Sequence, residues 1–283
     1  MHIDLPEEGY NFSRFDWSGK ITQVKFQKMP LTIAERTDIV DDAALGKGFY
    51  NEFGMDTALG FKETALGSWF HKIGVGLLKK EDDQYLFHKK YKIKPAQFEI
   101  TTAANKIMIN CLSETVNGYA YALRKEIALQ ESGFTIAYQL ENIGEKDIRT
   151  EEYAHNFMAI NNALIGSDYV LQFPFQLKPD HFGETVNTEQ QVVLGPNEFG
   201  FKGTPKEQFF FSNLSGDENV NAAWELLHQK HKIGISETAS FKSQKINLWG
   251  WEHVISPELF YPIFIQPGET TNWSRTYKVL RLE

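Results

Sequence analysis

A single cysteine among 283 residues excludes a framework of intrachain disulfides. That residue, Cys111, sits beside Ile107-Met108-Ile109 and reads as a buried structural thiol, not a nucleophile. Long apolar runs are also missing: no stretch approaches the ~18 residues of a membrane span. The opening Met-His-Ile-Asp-Leu-Pro-Glu-Glu lacks the basic start and apolar stretch of a secretory signal, so a cytoplasmic chain with no membrane partner is expected. Basic residues are outnumbered, 29 against 37 acidic, and no Lys/Arg stripe appears, which argues against a nucleic-acid partner. His228 and His231 have near-ligand spacing but no matching carboxylate or cysteine set, and no Gly-rich loop opens a helix. Neither a metal nor a nucleotide cofactor is expected. Helical signals are few, with Leu31 to Ala44 and Ala222 to Lys230 as the two short candidates.

What the chain does contain is β texture. Hydrophobic residues make up 42% and charged residues 23%, a composition able to bury a large core. Short runs rich in β-branched and aromatic residues recur between Gly, Pro, Asn and Asp: Ile21 to Phe26, Tyr85 to Ile93, Phe134 to Leu140 and Ile263 to Ile265. In the third, Phe134, Ile136, Tyr138 and Leu140 share one face, opposite Thr135, Ala137 and Gln139, as in a half-buried antiparallel strand. Tyr85, Phe87, Tyr91 and Ile93 are expected to share a face in the same way. Between Gln27 and Leu66 a Gly- and Asp-rich stretch exceeds the usual connection of about 4–6 residues and is expected to be a long loop at the rim of a site. No linker or repeat divides the sequence, so residues 1–283 are expected to form one all-β domain, an antiparallel sandwich of more than about 12 strands.

Three segments add a resemblance. Gly9-Tyr-Asn-Phe-Ser-Arg14-Phe-Asp16-Trp17-Ser-Gly-Lys-Ile21 resembles the N-terminal strand pair of bacterial aldose 1-epimerase-like proteins. Glu152-Tyr-Ala-His155-Asn156-Phe157 is similar to the segment that carries the general-acid histidine of galactose mutarotases. Leu248-Trp249, Val254-Ile-Ser-Pro-Glu258, Gln266-Pro-Gly-Glu269 and Trp273-Ser-Arg-Thr-Tyr277 resemble that family's catalytic-glutamate strand, Pro-Gly-Glu turn and closing strand. The resemblance spans nearly the whole chain and implies a β-supersandwich with a shallow sugar groove, interconverting anomers of a small carbohydrate without metal or organic cofactor. The Leu-His-Gly-Gly motif that supplies a second histidine in typical galactose mutarotases is absent; Trp69-Phe-His71-Lys72-Ile-Gly-Val-Gly76 stands in its place.

Anomerisation needs a base at the C1 hydroxyl and an acid at the ring oxygen. A carboxylate with an ordinary pKa near 4.3 and an imidazole near 6.5 can supply them at neutral pH. His155 and Glu258 are the candidate catalytic pair, expected to face each other with one pyranose ring between them; Glu252 is the alternative carboxylate. Tyr153, His155 and Phe157 share a strand face, while Ala154 and Asn156 take the other; Asn156 is nonetheless a candidate ligand from its place in the motif. Strand alternation lets only one of His71 and Lys72 face the site, and puts Trp69 with His71. Arg14 and Asp16, two apart, are expected to share a face, as an ion pair or as partners of sugar hydroxyls. Trp17, Trp69, Trp249 and Trp251 are candidate platforms for the C–H face of a sugar. A carbohydrate-binding protein without turnover, or a hydrolase with a second carboxylate about 5–10 Å from Glu258, would use the same groove.

Overall fold

Strand alternation organises nearly all of the chain in the computed structural model, which describes residues 1–39 and 44–283. Among the described residues are 24 strands and two single-turn 3-10 segments. No helix is long and apolar enough to cross a membrane. The largest sheet has ten antiparallel strands: Val192–Leu194, Glu198–Phe201, Tyr169–Gln172, Val220–His228, Ile233–Ser243, Thr270–Arg281, Gly133–Asn142, Tyr121–Gln130, Lys106–Leu112 and Gln97–Ala103, in spatial order. Five strands (His2–Asp4, Lys20–Gln23, Phe49–Phe53, Ile148–Asn156 and Tyr261–Ile265) form a second sheet. Four more (Thr185–Val186, Phe209–Phe211, Ile246–Trp251 and Val254–Leu259) form a third. The architecture is the expected antiparallel sandwich.

The period of two decides which side chains are inside. In Gly133–Asn142, Phe134, Ile136, Tyr138 and Leu140 are buried, while Thr135 and Ala137 are half-buried and Gln139 is exposed. Phe134 stacks on Tyr277 at 4.7 Å and Tyr138 on Trp273 at 4.8 Å, so two neighbouring strands of the large sheet interlock by aromatic faces. One apolar cluster runs through residues from Ile21 to Tyr277.

Four local expectations change. Val220–His228 is a strand where a helix was expected, because Ala222, Trp224, Leu226 and His228 are buried at every second position. That alternation outweighs the helical propensity of its alanines and leucines. Leu31 to Ile39 form bends and isolated bridges, not a helix, since the Leu31 and Ile33 N–H groups donate to Val24 and Phe157 carbonyls; residues 40–43 lie outside the described residues. Tyr85 to Lys92 make a turn, with strand only from Ile93; its tyrosines cluster because Tyr85 and Tyr91 stack at 6.0 Å and pack on Phe70. The stretch expected as a long rim loop contains Phe49–Phe53, a central strand buried at all five positions. Burial on both faces removes the alternation by which such a strand would be read.

A polar layer lies between the sheets. Arg275, fully buried, donates to Glu152 at 2.7 Å and to Glu237 at 2.6 Å. Trp273 and Trp224 indoles donate to the same two carboxyl groups at 3.0 and 2.8 Å. A second cation, Lys125, joins Asp16 and Asn51, and Asn51 donates on to Glu152. Removing one member of such a cluster strands its partners without solvent. Arg275→Met should therefore destabilise the protein by about 3–5 kcal/mol in urea unfolding; a loss below about 1 kcal/mol would show that the layer is not carrying the packing.

Candidate functional site

His155 and Glu258 come together because two strands from different sheets abut. Met158, just past the Ile148–Asn156 strand, bridges to Ile255 in Val254–Leu259, and the Asn156 N–H donates to Ser256 Oγ at 2.9 Å. His155 Nε2 then lies 3.4 Å from Glu258 Oε1. The imidazole stacks on Phe157 at 4.0 Å and meets the edge of Trp249 at 5.2 Å, so its plane is fixed by packing. Pro257 is accommodated because Val254–Leu259 is the edge strand of its sheet, paired regularly only with Ile246–Trp251.

Burial sets the charge state. Desolvation pushes the Glu258 carboxyl up to about 8, with Arg14 and a hydrogen bond from Asn247 opposing it. Desolvation and then Arg14 hold His155 well below the usual imidazole range. Near pH 7 the resting pair is a protonated carboxyl beside a neutral imidazole, not the ordinary carboxylate and imidazole expected from the sequence. At 3.4 Å no pyranose fits between them, and a ligand could reach both only from one side.

That side is a cavity of about 450 Å³. Phe87, Phe210 and Trp249 supply its apolar surface, and Arg14, Glu35, Asn247 and Gln208 its polar edge. Aromatic faces beside a few polar groups are the usual lining of a small-molecule cavity. Arg14 is clamped in place: it lies over Phe15 and Phe87 at 4.4 and 4.6 Å and donates to Glu52 at 3.1 Å, Glu35 at 3.4 Å and Tyr153 at 3.4 Å. Glu52 is wholly buried and also accepts from Tyr153 at 2.7 Å and from Lys72 at 3.1 Å.

Of the residues singled out from the sequence, His155, Glu258, Arg14 and Trp249 line this cavity. The others do not. Asn156 takes the opposite strand face, where it contacts Glu237, the Pro257 carbonyl and Tyr277. Asp16 pairs with Lys125 at 3.0 Å; residues 11–18 are not a strand, so it shares no face with Arg14. Lys72 is buried behind Glu52, and its ammonium is occupied by Glu52, Gly54 O and Tyr85. His71 packs beside Tyr119 and Tyr121, and burial lowers it to about 4. Trp69 is half-buried on the same face as His71, away from Glu52. Trp251 is turned to the Lys206 carbonyl, with Arg36 over its ring at 5.0 Å. Glu252, the alternative carboxylate, pairs with Lys206.

Sequence reading missed Glu35, Glu52 and Asn247. Glu52 carried a signal: a charged residue inside Phe-Tyr-Asn-Glu-Phe is rarely buried without a cationic partner.

Comparison with solved structures bears on the shape as a whole. A galactose mutarotase related enzyme from Lactobacillus acidophilus matches with a TM-score of 0.62 at 10% identity, covering 100% of both chains. The chain has the galactose mutarotase-like fold. A galactose mutarotase-like protein from Clostridium acetobutylicum matches at TM-score 0.58 and 9% identity, over 92% of this chain and 89% of that one. A protein from Synechocystis sp. PCC 6803 matches at TM-score 0.58 and 12% identity, over 93% and 88%. No protein-family model and no curated protein matches the sequence. The mutarotase-like sandwich is thus reached here with little sequence in common.

The raised Glu258 carboxyl makes a stability prediction. Above the unfolded value of 4.5 the unfolded chain releases a proton that the folded state keeps until about pH 8. Its contribution is fully present below about pH 4.5 and is lost as pH rises through 8. Glu258→Gln cannot ionise and escapes that loss. Its stability relative to wild type should improve by a few kcal/mol between about pH 5 and pH 9 in urea unfolding. An unchanged difference would mean that Glu258 is not held in the way described.

Proposed function

We propose that this protein is an aldose 1-epimerase-type isomerase that interconverts the anomers of a small reducing sugar. The observation that carries the reading is the adjacency of His155 Nε2 and Glu258 Oε1 at 3.4 Å on the wall of a sugar-sized, aromatic-lined cavity. The C1 hydroxyl and the ring oxygen of a pyranose are bonded to the same carbon. A base and an acid lying side by side therefore match them better than two groups on opposite walls.

Ionised Glu258 takes the proton of the C1 hydroxyl as the C1–O5 bond breaks and the carbonyl forms, while neutral His155 gives its Nε2 proton to O5 and is left as an imidazolate until closure. Rotation about C1–C2 presents the other carbonyl face, and closure returns both protons. A carboxylate whose conjugate acid is raised to about 8 is a stronger base than an ordinary one, at the expense of being mostly protonated at neutral pH. Arg14, held by Glu52 and Glu35, offers its remaining N–H surface to the sugar's hydroxyls. Trp249 and Phe210 supply the apolar floor.

Polarimetry on freshly dissolved α-glucose and α-galactose tests this. Wild type should speed mutarotation, with kcat/KM rising about tenfold per pH unit and levelling above about pH 8. Glu258→Gln and His155→Ala should each slow it by roughly 10²–10⁴-fold. Sugar binding without acceleration would identify a carbohydrate-binding protein instead.

A further inference from the structure

The His155 ring has two nitrogens, and Nε2 is the one that lies 3.4 Å from Glu258 Oε1. The other, Nδ1, lies 2.8 Å from Ser256 Oγ. Ser256 is completely buried, and its oxygen already accepts the Asn156 N–H at 2.9 Å. The hydroxyl hydrogen still needs an acceptor. His155 Nδ1 is the one within reach among the described contacts. If Nδ1 carried the hydrogen instead, the ring would donate to Ser256 and leave the hydroxyl hydrogen buried without a partner. A buried donor left unmade is unfavourable enough to decide between two tautomers that are otherwise close in energy.

We propose that Ser256 is a positioning residue that fixes His155 as the Nε2–H tautomer, so that the imidazole meets the sugar's ring oxygen as a neutral proton donor. The role rests on the anomerase reading above. In ring opening the Nε2 proton passes to O5, leaving an imidazolate whose Nδ1 accepts the Ser256 hydroxyl hydrogen, while the C1 hydroxyl proton passes to Glu258; ring closure reverses both transfers. A second proton on the ring would have to sit on Nδ1 and displace the Ser256 hydroxyl hydrogen. The same contact therefore opposes imidazolium, in the direction that burial and Arg14 already favour. The charged or titratable groups around the ring are Glu258, Arg14 and Tyr153. The backbone donor that orients Ser256 is the neighbour of His155 itself, so the tautomer is set where the two strands join.

Nitrogen-15 NMR of histidine-labelled protein reads the tautomer directly, with His155 assigned by its loss in His155→Gln. Wild type should show a pyrrole-type Nε2 and a pyridine-type Nδ1 from about pH 5.5 to 8.5, without imidazolium. Ser256→Ala should show both tautomers and a kcat for mutarotation reduced by roughly 10²-fold with KM little changed. Ser256→Thr, which keeps the hydroxyl, should restore the wild-type tautomer. The wild-type spectrum is decisive even if a variant fails to fold. Active enzyme whose His155 carries its hydrogen on Nδ1, or Ser256→Ala with wild-type kcat, overturns the assignment. Wild type that shows the expected tautomer but does not accelerate mutarotation overturns the functional reading, and the role of Ser256 with it.

Discussion

Asn156 is the point through which the three sheets are fastened. Its backbone N–H donates to Ser256, and its side-chain amide donates to the Pro257 carbonyl at 2.7 Å and to Glu237 at 3.1 Å, while accepting from Tyr277 at 3.0 Å. One buried residue of the five-stranded sheet thus touches the edge strand of the four-stranded sheet and two strands of the ten-stranded sheet. His155 precedes it and Glu258 follows the proline it holds. The separation of the candidate pair is a consequence of that junction, not of any direct attraction between the two side chains. Both resting groups are neutral, so little Coulomb energy could hold them together.

Two layers of buried charge lie on opposite sides of the Ile148–Asn156 strand. Towards the large sheet, Glu152 and Glu237 bind Arg275; towards the cavity, Glu52 binds Arg14 and Lys72. Both are dense in hydrogen bonds, which offsets part of the desolvation that buried ions carry. Their value lies in rigidity: the Arg14 guanidinium reaches the cavity with three of its directions already fixed. The cavity wall, by contrast, holds a carboxyl and an imidazole that burial makes unfavourable to charge.

Alternation made much of this legible. Strands with one wet face, such as Gly133–Asn142, announce themselves, and the same rule put Tyr153, His155 and Phe157 on one face and Asn156 on the other. Taking Asn156 as a sugar ligand set that rule aside in favour of the motif, and the structure sides with the rule. Phe49–Phe53 was hidden because a strand buried on both faces has no alternation, and Glu52 went with it. Asp16 and Arg14 were misread together because a period of two was applied to a segment that is not a strand. The charge states of His155 and Glu258 were beyond reach, since they depend on burial produced by strands distant in sequence.

A crystal structure of the protein soaked with glucose or galactose tests the central claim most directly. One pyranose should lie against Trp249, with its C1 oxygen on Glu258 and its ring oxygen on His155 Nε2, both at about 2.6–3.2 Å and approached from the same side. A sugar bound with its anomeric carbon turned away from both side chains, or seated elsewhere on the molecule, would contradict it.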